Sequence, residues 1–219
     1  MNAVRAARID LVLQRPVLLG GGVISLVVLL LASGGITTLA VVPILLAVGV
    51  PVALAARDPL AEATLRGGLG VSRAAHVRAR TALVLVLQLL LLLVAAAVIA
   101  LGAWADGADL RPDTYWTDVA LWTSAVLWSH LWVGRDAMSR RSTTTLWAQS
   151  LGAYALAYVG GFLVLALAGW GARLTVSGAG GIEAYALAQT VGVSLGAAVL
   201  LLGALATLRL RSRVWARTA

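Results

Sequence analysis

Few side chains in this chain could move a proton or attack a carbonyl. It has two histidines, four tyrosines, nine carboxylates and no cysteine, and all 17 of its basic residues are arginine. Thiol nucleophiles, disulfides and thiolate metal sites are therefore excluded. Ser129 and His130 suggest a nucleophile and base, but neighbouring helical residues point about 100° apart and do not face each other. His130 is expected to sit at the inner end of its helix, near the headgroups. No H-E-x-x-H pattern occurs, so metalloprotease chemistry is absent and no metal site is expected. The stretch "GGLGVSR" lacks the P-loop spacing, and there is no lysine to reach a phosphate. Its glycines read as a helix stop and turn. If ATP drives this protein, another chain binds it.

Milder polarity falls inside the apolar stretches. Ser150, Tyr154 and Tyr158 follow each other at i, i+4 and i+8, with Gln149 beside them. They read either as a lining for an amphipathic or lipid-like cargo or as interhelical hydrogen bonding, which contributes roughly 0.5–2 kcal/mol for each bond. Gln88, Ser124, Gln189 and Ser194 carry the same two readings. Gly192 and Gly196 form a G-x-x-x-G pair with Gly203 beyond them, a face suited to close helix contact. The pattern does not say whether that contact is within the chain or with a second copy.

The elements that position these residues are apolar helices. Of 219 residues, 61% are hydrophobic and 12% are charged, about half the charge of a soluble domain. Six apolar stretches can be drawn, near Val17–Ser33, Ile36–Ala56, Thr81–Trp104, Asp118–Val133, Leu146–Trp170 and Tyr185–Leu208. Each is close to the length that a hydrocarbon core about 30 Å thick requires. The expected fold is an all-α polytopic membrane protein, with residues 1–219 forming one transmembrane domain of six spans. Every charged residue falls at or beyond a span end, so no buried carboxylate is present to couple an ion gradient.

Arginine placement gives the orientation. Arg5, Arg8 and Arg15, the five arginines of residues 57–80, Arg135, Arg140 and Arg141, and Arg209, Arg211, Arg213 and Arg217 share one side. Only Arg111 and Arg173 remain for the other. The positive-inside rule then makes both termini cytoplasmic. Trp104, Trp116 and Trp170 would form an outer aromatic belt, and Trp132, Trp147 and Trp215 an inner one. The outer loop "ADGADLRPDTYWTD" would hold Asp106, Asp109, Asp113 and Asp118. Residues 1–16 read as an interfacial segment and residues 209–219 as a basic cytoplasmic tail. The first stretch is long and "LLASGG" lacks a small-x-small cleavage site, which favours a retained span over a signal peptide. The net charge of +8 is distributed as anchoring clusters, so no nucleic-acid face is expected.

Residues 57–80, "RDPLAEATLRGGLGVSRAAHVRAR", interrupt the second and third stretches with five arginines and a histidine. Asp58 is a suitable N-cap, Pro59 a suitable first helical residue, and Gly67 and Gly68 a stop. Ser72 can cap a second helix that runs into the third span. A two-turn helix is unstable alone in water, so residues 60–66 need a host. Leu60, Thr64 and Leu65 would dock, with Glu62 and Arg66 as polar contacts.

This arrangement resembles the membrane subunit of an ABC-2 type transporter, a six-span permease with a short coupling helix between spans two and three. The matching residues are acidic Glu62, then "LGVSR" (Leu69 to Arg73), then Arg80 entering span three. Gly70 stands where the family often has proline, and Arg80 where it often has lysine. The loop "GARLTVSGAGGIEAY" is shorter than the family's re-entrant segment. The resemblance implies a bacterial inner-membrane protein paired with a second permease copy, identical or not, beside two ABC ATPase subunits. Those partners would bind ATP and magnesium, and this chain would hold no cofactor. Asp58, Leu60, Glu62, Leu65, Arg66, Ser72 and Arg73 would couple to the ATPase, and a hydrophobic or amphipathic drug, peptide or lipid would be exported. A six-helix binding subunit for vitamin uptake and an intramembrane enzyme are the competing classes.

Overall fold

The computed structural model describes residues 7–9, 11–12, 14–55, 68, 70, 72–109, 112–133, 142–176 and 182–218. Residues 7–9 and 11–12 are helical. Helix α1 spans Arg15–Ala32, and a 3-10 turn at Thr37–Ala40 leads into α2, Val41–Ala55. Then follow α3 (Arg73–Ala105), α4 (Pro112–Val133), α5 (Thr143–Thr175) and α6 (Ile182–Thr218). No strand occurs among the described residues. The all-helical architecture expected from the composition is present.

Local chemistry explains several of the boundaries. Pro16 occupies the first turn of α1, where its missing N–H removes nothing. The Ser72 hydroxyl accepts from the Ala75 N–H at 3.3 Å and caps α3. Gly35 turns the chain after α1 with φ of 87°, and a side chain there would strike the Asp106 carboxylate. Helix α4 begins at Pro112, earlier than the expected Asp118, because proline suits a first helical position. Asp113 and Asp118 therefore belong to a helix and not to a loop. One turn in, the Tyr115 hydroxyl donates to the Ala96 carbonyl at 3.0 Å and ties α4 to α3.

Four helices, α1, α3, α5 and α6, are long and apolar enough to cross a membrane, and α2 with its leading turn is a shorter apolar helix. A helix of 33 residues, the length of α3 and of α5, is about 50 Å long, so its ends project beyond a hydrocarbon core of about 30 Å. Helix α4 is more polar, with Asp118, Ser124, Ser129 and His130, and it occupies the interior. Leu121, Ala125, Val126, Leu127 and Leu131 are buried along it, and it packs against α2, α3, α5 and α6. Protein surrounds this helix, so its polarity is compatible with a bilayer. Among the described residues, large exposed hydrophobics concentrate on α1, α5 and α6.

The bundle has two chemically distinct ends. At one, Val77, Leu131 and Leu208 form a cluster that joins the start of α3 to the ends of α4 and α6. Arg211 donates to the Leu131 carbonyl there at 2.6 Å, near the last described residue of α4, and ties α6 to it. Ala7 packs on Ala75 and Ala79 at the same end. Arg15, Arg78, Arg80, Arg209 and Arg211 all lie at this basic end. At the other end are Asp106, Asp118, Arg173 and the exposed Trp104, Trp116 and Trp170.

One hydrogen bond in the middle of the bundle settles a backbone problem. Pro51 lies inside α2 and has no N–H, so the carbonyl four residues earlier, on Ala47, loses its helical donor. Gln88 of α3 is 0% exposed, and its Nε2 donates to that same Ala47 oxygen at 3.1 Å. Ile44, Ala47, Val48, Leu92, Ala95 and Val126 close around the pair. Gln88→Leu is expected to lower unfolding stability in detergent by about 1 kcal/mol. Pro51→Ala restores the N–H, so in the double variant most of that loss should disappear. Thermal unfolding of the four proteins in the cycle measures the coupling, and additive losses would contradict it.

Candidate functional site

A pocket lies between the first helices of the bundle, toward the basic end. It is a half-open pocket of about 480 Å³ lined by α1, α2, α3 and the start of α5. On α1, Leu18, Gly21 and Ser25 recur at helical spacing and line it; Leu46, Gly49 and Val50 do so on α2, and Leu87, Leu91 and Val94 on α3. Trp147 of α5 forms the remaining wall. Its indole lies on the bare backbone of Gly49, where an added Cβ would collide with the ring. The lining is apolar apart from the Ser25 hydroxyl, which donates to the Gly21 carbonyl of its own helix at 2.8 Å. A space so lined suits hydrocarbon and not a hydrophilic solute. Sequence reasoning placed Trp147 in an interfacial belt; its role as a wall depends on Gly49, almost a hundred residues away.

The polar stripe of α5 lies elsewhere. Ser150 is buried, Tyr154 packs against the cluster around Ala47 and Val126, and Tyr158 packs against Leu121, Leu165 and Ala197. The two tyrosine rings are 6.1 Å apart, and none of Gln149, Ser150, Tyr154 and Tyr158 lines the cavity. The Ser150 hydroxyl and the Gln149 Oε1 are buried without a hydrogen-bond partner. The stripe is thus a polar seam between α5 and the helices it faces, apart from the residues that line the cavity.

Of the other intramembrane polar groups, Ser124 and Ser194 bond within their own helices, to Leu121 and Thr190. Gln189 instead receives a hydrogen bond from Arg173, which bridges α6 to α5. The same two helices meet along the glycine face. Gly192 sits against the Ala168 carbonyl and the Ala172 methyl, and Gly196 against Ala168 and Leu165. From the other side Gly169 meets Val193 and Gln189, while a Cβ added at Gly203 would lie an ordinary 3.8 Å from Trp128 of α4. The close-contact face is occupied within the chain.

Ser129 and His130 are both buried in α4, and the Ser129 hydroxyl donates to the Val126 carbonyl at 2.8 Å. That bond keeps the serine on its own helix. Among the described residues no group of three histidines, cysteines or carboxylates could hold a metal. Asp58, Leu60, Glu62, Leu65 and Arg66 lie outside the described residues. Arg73 is the first residue of α3, immediately after the Ser72 cap.

Comparison with protein-family models, with curated proteins and with solved structures returned no match for this chain.

Two substitutions test the packing that shapes the site. Gly192→Leu should force α5 and α6 apart and lower stability by about 1–3 kcal/mol. Gly152→Leu on α5, where an added side chain meets nothing, should be nearly neutral. Urea or thermal unfolding of both variants in detergent compares them directly.

Proposed function

We propose that this chain is the membrane-spanning permease subunit of an ATP-driven ABC exporter, built on six spans with both termini cytoplasmic. A separate ATPase supplies the energy, and the cargo is hydrophobic or amphipathic. The observation that carries the reading is the interval 56–72, which holds Arg57, Asp58, Glu62 and Arg66 and is set between the end of α2 and the Ser72-capped, arginine-bearing start of α3 at the basic end of the bundle. A segment of that composition and length needs a protein or a membrane surface to lie on. The resemblance in Glu62, Leu69 to Arg73 and Arg80 makes that surface an ATPase.

Two further features support it. The apolar cavity behind Trp147 and the seam of Ser150, Tyr154 and Tyr158 together offer an amphipathic route if α5 moves relative to α2 and α4. Helix α3 is continuous from Arg73 to Ala105, so a push at its foot is transmitted as a rigid-body motion to the cavity wall formed by Leu87, Leu91 and Val94. The apolar character of the cavity and its place at the basic end do not suit a vitamin-binding pocket near the outer face.

The test is co-purification with the ATPase, followed by ATP-dependent transport of a hydrophobic fluorescent dye in proteoliposomes. Leu60→Asp with Leu65→Asp should abolish both ATPase association and transport while leaving the thermal unfolding transition unchanged. Association and transport that survive this pair of changes would overturn the reading.

A further inference from the structure

The three residues that join α3, α4 and α6 at the basic end each have an arginine beside them. Val77 of α3 is followed by Arg78 and Leu208 of α6 by Arg209, while the Leu131 carbonyl of α4 accepts from Arg211 at 2.6 Å. The apolar side chains are buried, and all three arginines are exposed. Two of the guanidinium groups are anchored to backbone. Arg78 donates from Nε to the Ala74 carbonyl at 3.1 Å, and Arg211 donates from Nη1 to Leu131. A guanidinium carries five N–H donors in a planar fork, so each anchor leaves donors for an outside acceptor. Among the described residues no carboxylate stands at this end. Asp106 and Asp109 follow α3, Asp118 lies near the start of α4, and Glu183 lies at the start of α6. The acceptor must therefore bring its own negative charge.

Depth in the membrane points to where that charge comes from. Leu208 lies 23 residues after Tyr185 on α6, and Val77 lies 27 residues before Trp104 on α3. Those separations are about 35 and 40 Å along the helices. Tyr185 and Trp104 are exposed at the opposite end, where such side chains mark the interface. A hydrocarbon core is about 30 Å thick, and a bilayer with its headgroups about 40–45 Å. The three arginines thus stand past the hydrocarbon and at the level of the lipid phosphates.

We propose that Arg78, Arg209 and Arg211 form a binding surface for the headgroup phosphate of an anionic phospholipid in the leaflet at the basic end. Paired N–H donors of arginine match two oxygens of one phosphate, and a headgroup with no cation of its own adds no repulsion. The bound lipid bridges α3 and α6 across the cluster of Val77, Leu131 and Leu208. It supplies the negative charge that the described part of this end lacks. The site is independent of whether an ATPase serves this chain. It asks only that the protein sit in a bilayer containing anionic lipid.

The experiment titrates the full chain in detergent with phosphatidylglycerol and, in parallel, with phosphatidylcholine of the same acyl chains. Bound lipids are counted by native mass spectrometry. The first phosphatidylglycerol should bind about tenfold more tightly than the first phosphatidylcholine, the ratio expected from the charge-assisted pairing. Arg209→Gln should lower that preference about fivefold, the effect of one arginine beside an anionic lipid. Arg78→Gln with Arg209→Gln should bring the two lipids to parity. Arg173→Gln removes the same single charge at the opposite end and should leave the preference unchanged. Arg78 and Arg209 are both exposed, so these variants should fold, and the wild-type titration needs no variant at all. Equal affinity for the two lipids in the wild type, the result expected if an acidic protein covers this surface instead, would overturn the proposal. So would an equal loss of preference in Arg173→Gln and Arg209→Gln, which would make the attraction one of net charge alone.

Discussion

A bilayer interior offers no water to satisfy a stray carbonyl, and the structure meets that constraint at Ala47. Pro51 deprives this oxygen of its donor, and Gln88 supplies another from the neighbouring helix. The exchange fixes the height of α3 against α2 and their rotation, because a side-chain amide reaches one carbonyl only in one register. The position of Leu87 and Leu91 in the cavity wall follows from that register. Gly49, two residues before the proline, supplies the flat backbone on which Trp147 rests. Pairing and wall are therefore parts of the same local geometry.

Around this point the helices differ in where their polar and small residues face. Helix α4 carries Ser124, Ser129 and His130 along its length, and these are buried. Helices α5 and α6 turn their leucines and valines outward and their glycines toward each other. Lipid does not drive apolar helices together, so close backbone contact and a few interhelical hydrogen bonds must do so. The Gly192 and Gly196 face and the bond between Arg173 and Gln189 are such devices.

Composition and hydropathy were enough to read the helices, because apolar stretches of spanning length have few other solutions. Ser72 was legible as a cap from its place before an apolar run. The start of α4 was less so: the tryptophans and aspartates of residues 113–118 read as an interface, and Pro112 carried the better signal. The pairing of Gln88 with Ala47 was not legible, since it joins residues 41 apart and depends on which faces of two uniformly apolar helices meet. The cavity was hidden for the same reason. A run of three glycines at residues 20–22 was the sole hint that α1 packs loosely on its neighbours.

That loose packing bears on how the protein is made. Helix α1 is made early, yet its main partner, α3, is synthesised only after the second helix and residues 56–72. Its share of buried residues is 17% even in the finished bundle. It must wait in the bilayer as a solitary hairpin arm until α3 arrives, exposed meanwhile to lipids, insertases and membrane proteases. Quality control during biogenesis will therefore act first on α1, and the Gly35 turn that folds it back is where assembly is most open to interruption.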